Sequence, residues 1–398
     1  MEDKYLYLFS LAVILLSTKF LGLISRRVQL PAVVGALISG IILGPSFLDF
    51  IEYTDFIQKA SEIGVILLMF MAGLDTDLDE LKKSGLASFL VAVLGVVLPL
   101  LGGFLCFKYM FPEEYANNSL GFLKAVFVGV TLTATSVSIT VETLREMGKL
   151  KGKMGTTIMG AAIIDDIVGI IVLTTITSMQ DTSVNPTIVL VKIVMFFIFV
   201  VLTGAVVFFL KNRFIGSVKR RRRISIYALA FCLFMSFIAE EEFGVAGITG
   251  AYFAGLMFCA FSVREYIGKK FNVLNYLFFA PVFFASIGMQ TNMKSLTGDI
   301  IWFTVVLTIV AILTKVVGCG LGAKICKFNN KEALGIGIGM ISRGEVALIV
   351  AQKGADCGLL SETLFPAIVV VVIITTLITP ILLKVLLTEK NNKAVETA

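Results

Sequence analysis

Residues 163–173 read IIDDIVGIIVL, so Asp165 and Asp166 stand side by side inside an otherwise apolar run. A carboxylate at the centre of a bilayer costs roughly 2.5–3.5 kcal/mol on insertion scales and normally faces a partner or a wet cavity. Lys315, isolated in AILTKVVGCG, is the evident counter-charge. Adjacent helical residues project about 100° apart, so one aspartate can pair with Lys315 while the other faces a cavity and stays available to a ligand. Two further stretches carry polar groups. TLTATSVSIT (131–140) presents the hydroxyls of Thr131, Thr133, Thr135, Ser136 and Ser138, and GIGIGMISRGEVAL (335–348) follows its glycines with Ser342, Arg343 and Glu345. Carboxylates and hydroxyls are hard oxygen ligands suited to a small cation, and a carboxylate also takes a proton. A site that holds either, but not both, couples two fluxes when it faces each side of a membrane in turn. Structural uses compete with this reading: both aspartates in a fixed network with Lys315 or Arg343, hydroxyls bonded back to helix carbonyls, and Arg343 paired internally with Glu345.

These residues need elements to position them, and composition says what kind. Of 398 residues, 57% are hydrophobic and 16% charged, against about a quarter charged in an average soluble chain. Repeated apolar stretches of about 20 residues mark membrane-spanning helices, so the fold class is an all-α polytopic membrane protein. The net charge of +6 sits in short loops where it orients helices, and no basic or aromatic stripe suggests nucleic acid. Histidine is absent, which removes the usual pH-7 switch and the commonest metal ligand and leaves carboxylates and lysines for proton chemistry; no cofactor is expected, and the only metal ion expected is the transported cation. Cys106, Cys232, Cys259, Cys319, Cys326 and Cys357 form no CxxC pair and read as small apolar residues. The opening MEDKYLYLF is acidic and its apolar run too long for a signal peptide, so it reads as a retained first span.

Thirteen apolar segments are predicted at roughly 4–24, 31–48, 57–74, 84–109, 119–143, 154–178, 187–210, 224–239, 244–262, 274–290, 299–323, 332–353 and 364–388. Loops after odd-numbered segments are basic, among them KNRFIGSVKRRRR (211–223), REYIGKK (264–270) and KICKFNNK (324–331). Loops after even-numbered segments are acidic or neutral, apart from scattered lysines such as Lys59, Lys108 and Lys124. The positive-inside rule then puts the N-terminus outside and the C-terminus in the cytoplasm. Six segments flank the seventh on each side, and matching segments lie seven apart, hence in opposite orientation. That is an inverted-topology repeat, with the site at mid-membrane between interrupted helices in matching places. The fifth and twelfth segments qualify. The division is 1–210 as first repeat plus linker helix, 211–223 as basic cytoplasmic loop, 224–388 as second repeat, and 389–398 as cytoplasmic tail.

Depth supports a shared site. At about 1.5 Å per residue, Asp165 lies roughly 17 Å above its segment's inner end, Lys315 roughly 14 Å, and Thr135, Ser136 and Arg343 roughly 15 Å. Four segments thus bring polar groups to one level of a core about 30 Å thick.

The stretches TATSVSITVETLREMGKL (133–150), GAAIIDDIVGIIV (160–172), TKVVGCGLGAK (314–324) and GMISRGEVALIV (339–350) together resemble the monovalent cation:proton antiporter-2 family, especially its NapA-like sodium/proton antiporters. The resemblance implies an NhaA-like fold with two crossing discontinuous helices, a six-helix core moving in elevator fashion against a dimerisation domain, and a homodimer in the plasma membrane. It implies that Asp166 carries cation and proton, that Asp165 pairs with Lys315, that Thr135 and Ser136 lie at the unwound crossing, and that Glu345 is the acid of the second interrupted helix. Members with this set are read as electrogenic, two protons per sodium. The chain stops about ten residues after its last span, against the nucleotide-regulated potassium branch but not against potassium as substrate.

The expected partners are therefore a monovalent cation, protons, the bilayer and a second copy. K+/H+ exchange is the alternative within the family. A cation channel lacks support in the absence of a filter such as TVGYG, and an aspartyl protease would need two carboxyls converging on one water, whereas consecutive helical residues diverge.

Overall fold

The computed structural model describes the chain except for residues 1–4, 29, 77, 117–118, 179–185, 215–217, 291–297, 357, 362–363 and 389–398. Among the described residues all regular structure is helical, as it must be where apolar runs lie in lipid and backbone groups bond within their own segment. The helices are α1 (Leu6–Arg27), α2 (Ala32–Leu43), α3 (Asp55–Asp75), α4 (Leu78–Met110), α5 (Pro112–Ala116), α6 (Ser119–Thr133), α7 (Val137–Glu146), α8 (Lys153–Ser178) and α9 (Pro186–Phe214). They continue as α10 (Val218–Phe237), α11 (Gly247–Cys259), α12 (Arg264–Leu274), α13 (Ala280–Met289), α14 (Gly298–Ile325), α15 (Asn330–Gly339), α16 (Gly344–Asp356) and α17 (Leu364–Thr388). One π-turn, Ile238–Glu242, follows α10, and another, Asn275–Phe279, joins α12 to α13.

Ten helical stretches among the described residues are long and apolar enough to cross a membrane. The predicted second and ninth segments are shorter apolar helices, α2 and α11. The fifth and twelfth segments are each interrupted: helix stops at Thr133 and resumes at Val137, then stops at Gly339 and resumes at Gly344.

Several stretches expected as loops are helical. REYIGKK opens α12, because Ile267 and Phe271 fall one turn apart on a buried face while Lys269 and Lys270 stay exposed, the pattern of an amphipathic surface helix. The basic stretch 211–223 is also mostly helical backbone, with α9 running to Phe214 and α10 starting at Val218. Proline at its first position and two glutamates in its first turn favour α5 inside the acidic loop 111–119. Two of the lysines that blurred the charge pattern are locally paired, Lys59 with Glu62 at 3.1 Å and Lys124 with Glu114 at 3.2 Å. Cys106, Cys232, Cys259 and Cys319 are buried, Cys326 is half-buried, and Cys357 lies outside the described residues.

The helices pack in two sequence-interleaved groups. One joins α1, α2, α3, α11 and α13, and the other joins α4, α6, α8, α14, α15 and α17. Helix α7 touches both, through α2 and α3 on one side and α8 and α17 on the other. In lipid, where helices gain little from burying apolar surface, close approach through small residues supplies much of the association. Gly318 of α14 shows this against α4: a methyl there would sit 2.5 Å from the Leu94 carbonyl oxygen.

Candidate ion-binding site

The two helix interruptions meet. The backbone N–H of Ser136 donates to the Ser342 carbonyl at 2.8 Å, and the Thr140 hydroxyl donates to the Gly339 carbonyl at 2.6 Å. Gly344 explains why the second interruption can sit so close. Its φ is +49°, a left-handed conformation that glycine adopts without penalty, and a methyl there would lie 2.5 Å from the Ser136 side chain. Its N–H, freed by the break, is received by the Thr376 hydroxyl of α17 at 3.1 Å.

Arg343 ties the breaks to α14. It is fully buried and donates to the Leu132 carbonyl, to the Ala134 carbonyl at 3.1 Å and to the Ala311 carbonyl at 3.1 Å. An interrupted helix leaves its terminal carbonyls without partners in the segment, and a guanidinium carries donors enough to serve several at once. The expected internal pair with Glu345 is not where Arg343's described hydrogen bonds go. Glu345 stands second in α16, and its side chain lies outside the described residues.

One helical turn beyond Ala311, Lys315 points at Asp165. Its Nζ lies 3.3 Å and 3.4 Å from the two carboxylate oxygens, with the lysine 0% and the aspartate 3% exposed. Thr135, between the broken ends of the fifth segment, is within hydrogen-bonding reach of the same carboxylate. Asp166, next along α8, is half-buried. The residues singled out by depth counting are thus brought together by contacts among α8, α14 and the two breaks.

Of the hydroxyls, Thr131 and Thr133 bond back to the Val128 and Val130 carbonyls at 2.8 Å each, the structural use. Ser136 and Ser138 lie 3.0 Å apart, and Thr135 also reaches the Thr133 carbonyl at 3.5 Å. Ser342's hydroxyl is buried without a hydrogen-bond partner among the described residues. Two contributors escaped sequence reasoning: Thr376 caps the second break, and Gly95 of α4 makes room, since a methyl there would lie 2.5 Å from Cys319 Sγ and 3.8 Å from Lys315 Nζ. The glycine-then-SRG order at 339–344 signalled the break, whereas nothing near Thr376 or Gly95 marks them.

Chemically, the site is a buried ion pair and a second, less buried carboxylate, beside serine and threonine oxygens and carbonyls freed by two breaks. Among the described residues no cluster of three or more His, Cys, Asp or Glu is placed to hold a resident metal ion.

Residues 12–389 match the transmembrane sodium/hydrogen exchanger family. The Na(+)/H(+)-K(+) antiporter GerN of Bacillus cereus is 42% identical over 382 residues, 96% of each chain. The Na(+)/H(+) antiporter of Enterococcus hirae is 37% identical over 378 residues, covering 94% of this chain and 96% of that one. The sodium proton antiporter MjNhaP1 from Methanocaldococcus jannaschii shares the fold, with a TM-score of 0.68 at 18% identity over 94% of this chain and 95% of that one. The similar proteins are transporters, not enzymes. A multi-pass helical chain with this site and these relatives belongs to the sodium/hydrogen exchanger family of monovalent cation:proton antiporters.

Proposed function

We propose that the chain exchanges Na+, with Li+ as a substitute, for H+ across the cell membrane, and that cation and proton compete for the Asp165–Asp166 pair. The observation that carries this reading is the Lys315–Asp165 ion pair, 3.3 Å long and buried beside the meeting of two broken helices. A cation arriving at Asp166, with oxygen donors from Thr135, Ser136 and Ser342 nearby, weakens the hold of Lys315 on Asp165. Proton release from the site then accompanies cation binding. Both ions cannot occupy the pair at once, so reorienting it couples the two flows.

The reading includes the architecture that such coupling needs: thirteen spans, with α6–α7 and α15–α16 each counted as one broken span, in two inverted six-helix repeats (1–210 with the linker helix α9, and 224–388) around the basic stretch 211–223. The breaks cross at mid-membrane. The group containing α4, α6, α8, α14, α15 and α17 moves as the elevator against the group containing α1, α2, α3, α11 and α13, which dimerises with a second copy. The N-terminus lies outside, and the C-terminus with its tail 389–398 inside. Two protons per Na+ move one net charge per cycle, about 2.3 kcal/mol per 100 mV of membrane potential. Arg343 holds the breaks together and Glu345 tunes proton coupling.

Proteoliposomes containing wild type or Asp166→Asn, assayed for proton efflux on addition of Na+, Li+ or K+, test this. Loss of exchange in a correctly inserted Asp166→Asn supports the carrier role, and undiminished exchange refutes it. K+/H+ exchange is the second reading, favoured by a 42% identical relative described as a Na(+)/H(+)-K(+) antiporter. The K+ arm of the same assay decides between them.

A further inference from the structure

Away from the aspartates, a cavity of about 330 Å³ opens between α1, α2, α7 and the α12–α13 junction, within the roughly 300–1,000 Å³ typical of small-ligand sites. Its wall is apolar along Leu15, Leu23, Val33, Leu277 and Phe284. Leu23 and Leu277 at its edge are 50% and 63% exposed, so the cavity meets the protein's apolar outer face. Its charges do not cancel. Of the two carboxylates in the wall, Glu142 is held by Arg145 at 3.0 Å, and Glu146 by Arg26 at 3.3 Å while also accepting the Ala32 N–H at 2.9 Å.

Lys19 is left over. It projects from α1 beside the cavity, exposed, within a helix otherwise uncharged until Arg26. Its ammonium donates to the Tyr276 hydroxyl and lies 4.5 Å from that ring's centre, and among the described residues no carboxylate pairs with it. A lysine inside a span with only a neutral phenol for company is costly unless something anionic joins it. Tyr276 stands just past the end of α12, whose Lys269 and Lys270 are exposed. Tyrosines with lysines of this kind sit at the bilayer interface, where basic pockets between transmembrane helices take anionic head groups.

We infer that this cavity binds an anionic phospholipid, its phosphate on Lys19 and Tyr276 and one acyl chain along Leu15, Leu277 and Phe284. The occupant is a phospholipid rather than a soluble anion because the cavity opens onto apolar surface and is walled mostly by hydrocarbon. The lipid would lie where α7 meets α1 and α2. Binding requires nothing of the aspartate site, so it stands or falls independently of the exchange reading.

Native mass spectrometry of the purified full chain, in micelles doped with phosphatidylglycerol or phosphatidylcholine, tests it with wild type, Lys19→Gln and Lys19→Arg. One interfacial lysine charge corresponds to roughly a fivefold change in affinity. Wild type and Lys19→Arg should retain phosphatidylglycerol in preference to phosphatidylcholine, and Lys19→Gln should retain it about fivefold less. Equal retention of the two lipids by wild type, equal retention of phosphatidylglycerol by Lys19→Gln, or displacement of the phospholipid by a free long-chain fatty acid overturns the proposal.

Discussion

Removing one member of the Lys315–Asp165 pair while leaving the other asks whether the charges are held by each other. At 3.3 Å and an effective dielectric of about 20, the attraction is about 5 kcal/mol. Desolvation of each ion in a 0–3% exposed site takes back several kcal/mol, so the net contribution of the intact pair is small. The cost of breaking it is not small, because an uncompensated buried charge remains, and about 3–5 kcal/mol is expected for Asp165→Asn or Lys315→Gln alone. The double variant should return to within about 1 kcal/mol of wild type, giving a coupling of several kcal/mol in a double-mutant cycle. Unfolding by SDS titration in mild detergent measures this, read from the single tryptophan, Trp302, which lies on the same helix as Lys315. Single variants each costing under about 1 kcal/mol, or a double variant no more stable than the singles, would refute the reasoning. Asp166→Asn serves as the contrast: it should leave stability within about 1 kcal/mol of wild type while removing exchange.

Gly344→Ala should cost about 1–2 kcal/mol from its positive φ and more from the methyl placed 2.5 Å from Ser136, so adding Ser136→Gly should restore only part of the stability in the same titration. Gly95→Ala puts a methyl 2.5 Å from Cys319 Sγ and should cost about 1–3 kcal/mol by overpacking, most of it recovered by Cys319→Ala. Outside the spans, burial and the neighbouring Glu62 push the Tyr53 phenol from 10.0 up to about 12. The fold favours the neutral phenol, so its contribution is complete below about pH 10 and lost as pH rises toward about 12. Ultraviolet difference titration of wild type minus Tyr53→Phe should show that late ionisation, and a midpoint near pH 10 would contradict it.

The aspartate pair, the lone lysine and their meeting were legible because an apolar run makes every ionisable residue conspicuous, and helical rise converts position into an expected height. The interruptions at 134–136 and 340–343 were legible for a related reason, since hydroxyls and glycines crowd where a helix must stop. Arg343 was not. Its partners are backbone carbonyls released by a neighbouring break, and backbone geometry leaves no trace in residue types, so an arginine two places from Glu345 reads as half of an ion pair. The amphipathic α12 was hidden by its charge: REYIGKK looks like a loop until Ile267 and Phe271 are seen to share a buried face. Thr376 and Gly95 act through packing across distant sequence and carry no local mark.

The exchange reading is tested most directly by counting protons released when a cation binds. Purified protein in weakly buffered detergent solution, titrated with Na+ at several fixed pH values, should release protons in a saturable manner. The apparent Na+ dissociation constant should rise about tenfold per pH unit lowered for each proton that competes with the cation, and both signals should vanish in Asp166→Asn. Sodium binding that is saturable, independent of pH and unaccompanied by proton release would contradict a shared site.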